Sequence, residues 1–282
     1  ALFAISGLIC WCGISQVISN SVSSAFQNAF HIPPIVTTVI LVFLAAVIVL
    51  QKNATIKLLD ILVPIMAGSF FAITVFIILL NIRQLPAVFA RIFSEAFGLR
   101  QAVSGGLGAV IMNGIKRGLF SNEAGSGSAP CAAAAAEGND PSRTGLIQAL
   151  GVLIDTIVIC TMTALVILCS SGGAAGLCAA SLDGAALAAW SFGAVCGKMG
   201  EWLIALAMLV FSFATMIAWF YLGRQTLEAI LEVVETMGRT ERIHQWYFYL
   251  YSVCIVLGGL TRLEAVWKLS DIWNGLMAFP NL

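Results

Sequence analysis

The chain has 282 residues with fourteen basic and fourteen acidic side chains, a formal net charge of zero, 60% hydrophobic residues and only 10% charged ones. A water-soluble domain of this length carries about a quarter charged residues, so a mean hydropathy of +0.98 argues against a soluble fold. Balanced charge and a pI near 6.9 give no electrostatic basis for nucleic-acid binding and no basic tail for an anionic surface. The eight cysteines lack the paired spacing of a zinc site or a disulfide scaffold and read as small reduced apolar residues. Residue 1 is Ala rather than Met, and Phe279-Pro280-Asn281-Leu282 stops inside an apolar stretch, so a fragment of a longer protein is expected.

A helix that crosses lipid needs about 20 mostly apolar residues, because every backbone polar group must be satisfied within the segment. The expected fold class is therefore all-α integral membrane, a multi-span bundle of about eight candidate helices in one transmembrane domain over residues 1–282. Ala1 to Phe30 predicts one long helix, apolar first and then rich in Ser, Asn and Gln; Pro34 to Leu50 is a short clean span. Leu58 to Asn81 follows, with Pro64 and Gly68 as kink points. Leu85 to Phe97 is amphipathic and too short to span, which places it in an interface.

Ala102 to Glu137 is interrupted by a glycine-rich polar run and is treated below. Leu146 to Ser170 is a strong span containing Asp155, and a long loop is expected over Ser171 to Gly200. Trp202 to Leu222 is another span whose pattern runs on toward Glu235; Trp246 to Leu260 opens with an aromatic belt, and Val266 to Leu282 begins a last span. Alternation puts the loops at Lys52/Lys57, Arg143 and Arg224/Arg239/Arg242 on the cytoplasmic side. Arg83, Arg91 and Arg100 run against that rule, but they flank the interfacial helix and can snorkel toward headgroups.

Residues 118–128, Gly118-Leu119-Phe120-Ser121-Asn122-Glu123-Ala124-Gly125-Ser126-Gly127-Ser128, hold three Gly, three Ser, Asn122 and Glu123 within eleven residues. Such a run disfavours continuous helix in hydrocarbon. One solution is a broken helix near residues 118–130 whose unwound backbone lines a polar cavity, with Pro130 in the first turn of the second half. Freed amides there attract an anionic group, and freed carbonyls and hydroxyls suit a hard cation. The other solution is a re-entrant or surface loop, with Lys116 and Arg117 marking the interface. A phosphate loop is not expected, since the Gly-Lys-Ser/Thr ending is absent.

Asp155 sits nine residues into its apolar span, where an ionisable group is costly enough to mark function. A structural carboxylate bonded to Thr156 or a neighbouring helix is the alternative. Glu123 carries the same ambiguity, with Lys116 or Arg117 as expected ion-pair partners. Ser212 and Thr215 are three apart and share a helical face, although hydroxyls in such helices often bond their own backbone. Trp219, one turn on, could wall a pocket or simply pack. Gln16, Ser19, Asn20, Ser23, Gln27 and Asn28 form a polar stripe that reads as interhelical packing. His31 and His244 are read as loop residues without Cys or carboxylate company, and no nucleophile–base constellation appears, so no enzyme is expected.

The run from Arg117 to Pro130, then Ile154-Asp155-Thr156 with Cys160-Thr161-Met162-Thr163-Ala164-Leu165-Val166-Ile167-Leu168, and finally Asn274 to Leu282 resemble the alanine or glycine:cation symporter family. The resemblance covers essentially the whole chain. It implies a leucine-transporter-like fold of two inverted repeats with broken first and sixth core helices, of which this chain would supply core helices 3 to 10. Residues Phe120 to Ser128 would then be the unwound part of the sixth helix.

By that resemblance the substrate site would use Phe120, Ser121, Asn122, Gly125, Ser126, Gly127 and Trp219, with Gln16 standing in for a family Gln that would precede Ser19, where this chain has Ile18. The coupling-ion site, for Na⁺, would use Thr215, Ser212, Asn122 and Asp155. Two further departures stand out: Ala214 replaces a frequent Ser, and Ser126 replaces a large apolar residue between the two glycines. The expected function is symport of a small neutral amino acid, alanine or glycine, with Na⁺ or H⁺ by alternating access in the cell membrane. The competing class is a channel or a structural membrane subunit without transport. No cofactor beyond the coupling ion is expected; the partners are the amino acid, the ion and the lipid bilayer.

Overall fold

A computed structural model describes residues 2–50, 52–97, 107–123, 125–134, 140–170, 182, 184–233 and 240–281. Every regular element among the described residues is helical: α1 (Leu2–Phe30), α2 (Pro34–Leu50), α3 (Lys52–Leu80), α4 (Leu85–Phe97), α5 (Leu107–Asn122), α6 (Ser128–Ala134), α7 (Pro141–Leu153), a π-helical turn (Ile154–Ile159), α8 (Cys160–Ser170), α9 (Gly184–Cys196), α10 (Lys198–Val233), α11 (Thr240–Leu260) and α12 (Leu263–Ala278), with a short 3₁₀ turn at Ile82–Gln84. Among the described residues, four stretches are long and apolar enough to cross a membrane: Leu2–Phe30, Ile61–Leu80, Pro141–Ser170 and Lys198–Glu232. This is a multi-pass membrane protein.

The sequence boundaries of α2 and α4 hold to the residue, while three expectations need correction. Residues 184–196 form α9 rather than loop, because Ala189 and Phe192 pack into a cluster with Ile77, Val166 and Ile204; residues 171–181 lie outside the description. Arg224 lies within α10, paired with Glu228 at 3.1 Å, and Lys52 and Lys57 lie within α3, Arg143 within α7 and Arg242 within α11, instead of in loops. His244 lies in α11, its Nε2 3.5 Å from the same Glu228 carboxylate, so it has the acidic company the sequence did not show. Arg100, Glu235 and Arg239 are outside the described residues. Seven of the eight cysteines are described, and all seven are free thiols.

The hub is α1, which packs against α10, α11 and α12 and also touches α2 and α9. In lipid, helices associate through close packing and polar contacts, since apolar surface gains nothing by leaving hydrocarbon. The polar stripe of α1 supplies both. The Asn20 amide donates to the carbonyls of Gly258 (3.0 Å) and Thr261 (2.7 Å), tying α1 to the C-terminal end of α11. Gly258 lets the two backbones meet, because a Cβ there would lie 2.7 Å from the Gln16 carbonyl carbon and closer still to other Gln16 backbone atoms. Ser23 and Thr38 hydroxyls meet at 3.4 Å between α1 and α2. The Tyr251 hydroxyl donates to the Met216 carbonyl at 2.9 Å, joining α11 to α10.

Candidate functional site

Helix α5 runs through Gly118 to Asn122 before it stops, so the break is narrower than the composition implied: Phe120, Ser121 and Asn122 are still helical. Of the described residues in this run, only Glu123, Gly125, Ser126 and Gly127 leave the helix. Glu123 takes φ +55°, left-handed geometry that a side chain disfavours, and Gly125 (φ +77°) and Gly127 (φ +81°) supply left-handed turns that cost glycine nothing. Pro130 falls in the first turn of α6, where its missing N–H is harmless.

Hydrogen bonds lock the reversal. The Ser126 amide and hydroxyl both donate to the Glu123 carbonyl (3.1 and 2.7 Å), the Ser126 and Ser128 hydroxyls meet at 2.9 Å, and the Ser128 hydroxyl donates to the Glu123 carboxylate. From outside, the Asn281 amide donates to the Gly125 carbonyl at 2.9 Å. A Cβ on Gly127 would lie 2.7 Å from the Phe3 ring, so α1 closes the other side.

The break faces the π-helical turn of the next span. A π turn inserts one residue into the helical ladder and re-aims its side chains. Here it presents Asp155, whose Oδ2 accepts from Ser121 Oγ at 3.0 Å; the same hydroxyl lies 3.4 Å from the Cys160 thiol. Asp155 therefore bonds a neighbouring helix and not Thr156.

A cavity of about 480 Å³ opens between these elements and α10. Ser121, Asn122, Glu123 and Ser128 line it from the break, Gln148 and Asp155 from the facing span, and Thr215 and Trp219 from α10. Two carboxylates share this lining with hydroxyl and amide groups, and none of its residues is Lys or Arg. Such a lining favours positive charge and offers oxygen ligands to a hard cation. Thr215 donates its hydroxyl proton to Phe211 O at 2.8 Å, which leaves the oxygen's lone pairs for the cavity. Trp219 is 7% exposed and stacks on Trp11, with centroids 6.2 Å apart, so it both packs and forms a rigid wall.

Other sequence candidates lie elsewhere. Phe120 and Ser126 line a second cavity of about 230 Å³ on the α12 side of the break, with Asp271 and Asn274; Glu123 borders both cavities. Phe120 meets Trp267 edge-on at 4.9 Å. Gly125 and Gly127 shape the backbone and line neither cavity. Ser212 is buried and lines neither, and Gln16 sits against Gly258 on the α11 face of α1.

The expected partners of Glu123 also change. Arg117 pairs with Asp271 and lies 4.2 Å above the Trp267 ring, while Glu123 takes the Ser128 hydroxyl. Asp271 and Trp267 are four apart on α12, a spacing visible in the sequence, but their partner across the bundle is not. Gln148 escaped notice although 148, 151, 152 and 155 lie on one helical face, which is the signal that could have found it.

The sequence profile of the sodium:alanine symporter family matches residues 1–282. The chain belongs to that family. Within it, the amino-acid carrier protein AlsT of Bacillus subtilis is 36% identical over 95% of this chain and 55% of its own length. The probable sodium/glutamine symporter GlnT of the same organism is 38% identical over 95% of this chain and 54% of its own. The sodium/alanine symporter AgcS of Methanococcus maripaludis is 37% identical over 99% of this chain and 60% of its own. The chain thus spans little more than half the length of these relatives. The sodium:alanine symporter family is one of transporters, not enzymes.

Proposed function

We propose that this chain forms part of a secondary transporter that carries a small neutral amino acid, alanine first, together with Na⁺ across the cell membrane by alternating access. The observation that carries this reading is the cavity in which Glu123 and Asp155 stand among hydroxyl and amide groups with no basic side chain in the lining. The names of AgcS and GlnT, a sodium/alanine and a probable sodium/glutamine symporter, support the coupling ion and the amino-acid cargo.

In this mechanism Asp155, Asn122 and Thr215 give oxygen ligands to Na⁺ from three different helical segments, so the ion binds only when those segments are together. Ser121, Asn122 and Ser128, which line the cavity, hold the polar end of the substrate. Trp219, fixed by its stack on Trp11, limits the side chain and excludes large residues by clash. Because both solutes need the same closed arrangement, each raises the affinity for the other by the same factor. The two halves α5 and α6 move against the π turn and α10 to change access, as broken helices do in a leucine-transporter-like architecture.

The complete protein, reconstituted in liposomes and given labelled alanine, tests this. A sodium gradient is expected to drive uptake that unlabelled alanine and glycine inhibit more strongly than glutamine does. Uptake that ignores Na⁺ and membrane voltage would reject symport, and inhibition by glutamine equal to alanine would reject the small pocket.

A further inference from the structure

Helix α4 has no part in the cavity beside the break, yet its position is constrained. The apolar span Ile61–Leu80 ends immediately before it, and only Asn81 and the 3₁₀ turn Ile82–Gln84 intervene. A helix of thirteen residues attached there is too short to cross back, so it lies at the depth where hydrocarbon gives way to headgroups. Its apolar side chains agree, with Phe89 40% and Phe93 61% exposed.

Between α4 and the end of α8, near Leu168, runs a groove of about 590 Å³ whose polar lining is Arg83, Gln84, Arg91 and Glu95. Arg91 and Glu95 pair at 2.6 Å through one guanidinium nitrogen, Nε, which leaves the other donors of Arg91 available. Arg83 has no ion pair among the described residues. The charged lining therefore sums to one net positive charge, two arginines against one glutamate, at headgroup depth.

We propose that this groove is a binding site for the phosphate of an anionic phospholipid, with Arg83 and Arg91 bridging its oxygens and Gln84 donating beside them. One phosphodiester cancels the groove's excess charge, and the acyl chains run down the exposed apolar surface of α3, where Phe76 is 55% and Leu79 58% exposed. Guanidinium groups suit the phosphate because their donors form a planar fork.

The complete protein is purified in detergent, mixed with equal amounts of phosphatidylglycerol and phosphatidylcholine, and its retained lipid is counted by native mass spectrometry. Wild type is expected to retain phosphatidylglycerol preferentially. Arg83→Gln is expected to weaken that retention about fivefold, and Arg83→Gln with Arg91→Gln about thirtyfold, while unfolding in lipid-free detergent stays at the wild-type temperature. Arg83→Lys is expected to recover part of the loss. Equal retention of both lipids by wild type, or undiminished retention of phosphatidylglycerol by the double variant, overturns the site. Displacement of the lipid by millimolar inorganic phosphate also overturns it, since that would make the groove a free-phosphate site.

Discussion

The seam between α1 and α11 should be intolerant of a single added methyl group. At Gly258 a Cβ would fall on the Cα, carbonyl carbon and carbonyl oxygen of Gln16, all backbone, so no side chain can swing aside to make room. The helices must separate. Overpacking of this kind costs about 1–3 kcal/mol. Separation also stretches the two hydrogen bonds from the Asn20 amide to Gly258 O and Thr261 O, each contributing about 1 kcal/mol. Gly258→Ala is thus expected to destabilise the complete protein by about 3–5 kcal/mol, which lowers the unfolding midpoint by at most roughly 5–8 °C for a chain of this length or longer. Thermal unfolding in detergent followed by tryptophan fluorescence measures this. The comparison is Gly145→Ala in α7, where an added Cβ meets no heavy atom within 4 Å; it is expected to unfold at or slightly above the wild-type midpoint, since Ala favours helix. If Gly258→Ala unfolds as late as Gly145→Ala, the close approach of α1 and α11 is not a stabilising contact and the reasoning fails.

Three further outcomes are expected. Thr215→Ala should raise the sodium concentration for half-maximal alanine uptake about tenfold, and Thr215→Ser should not; an unchanged sodium titration removes Thr215 from the ion site. Arg117 and Asp271 are 37% and 31% exposed, so solvent screens their ion pair and a double-mutant cycle with Arg117→Gln and Asp271→Asn should give coupling of about 1 kcal/mol in stability; additive effects would show that the α5–α12 seam does not depend on it. Cys160 is exposed beside the Ser121 hydroxyl, whereas Cys10, Cys12 and Cys169 are buried. In a variant retaining only Cys160, a small thiosulfonate reagent should label that thiol, and sodium with alanine together should slow the labelling; equal rates with and without them would detach Cys160 from the site.

Much of the architecture was legible along the chain because a bilayer leaves few options. An apolar run must be helix, and a run of glycine, serine and asparagine between two such helices must break them. That logic located α2, α4 and the reversal near Gly125. It overextended the break, since Phe120, Ser121 and Asn122 satisfy their backbone as the last turn of α5 and, of the described residues, only Glu123, Gly125, Ser126 and Gly127 leave the helix. It also missed α9, whose residues stay helical because Ala189 and Phe192 are buried against α3, α8 and α10.

The sequence by itself determined the class of solvent, the positions of the spans and the residue types able to meet a cation or a small polar solute, because composition and periodicity act locally. Only the tertiary structure decided which of those residues meet. Ser121 and Asp155 are 34 positions apart and bond at 3.0 Å because a π turn rotates one helix toward the end of another. Phe120, next to Ser121, points to Trp267 and away from that cavity, since adjacent side chains on a helix diverge by about 100°. Direction, unlike composition, is set by what lies across the gap.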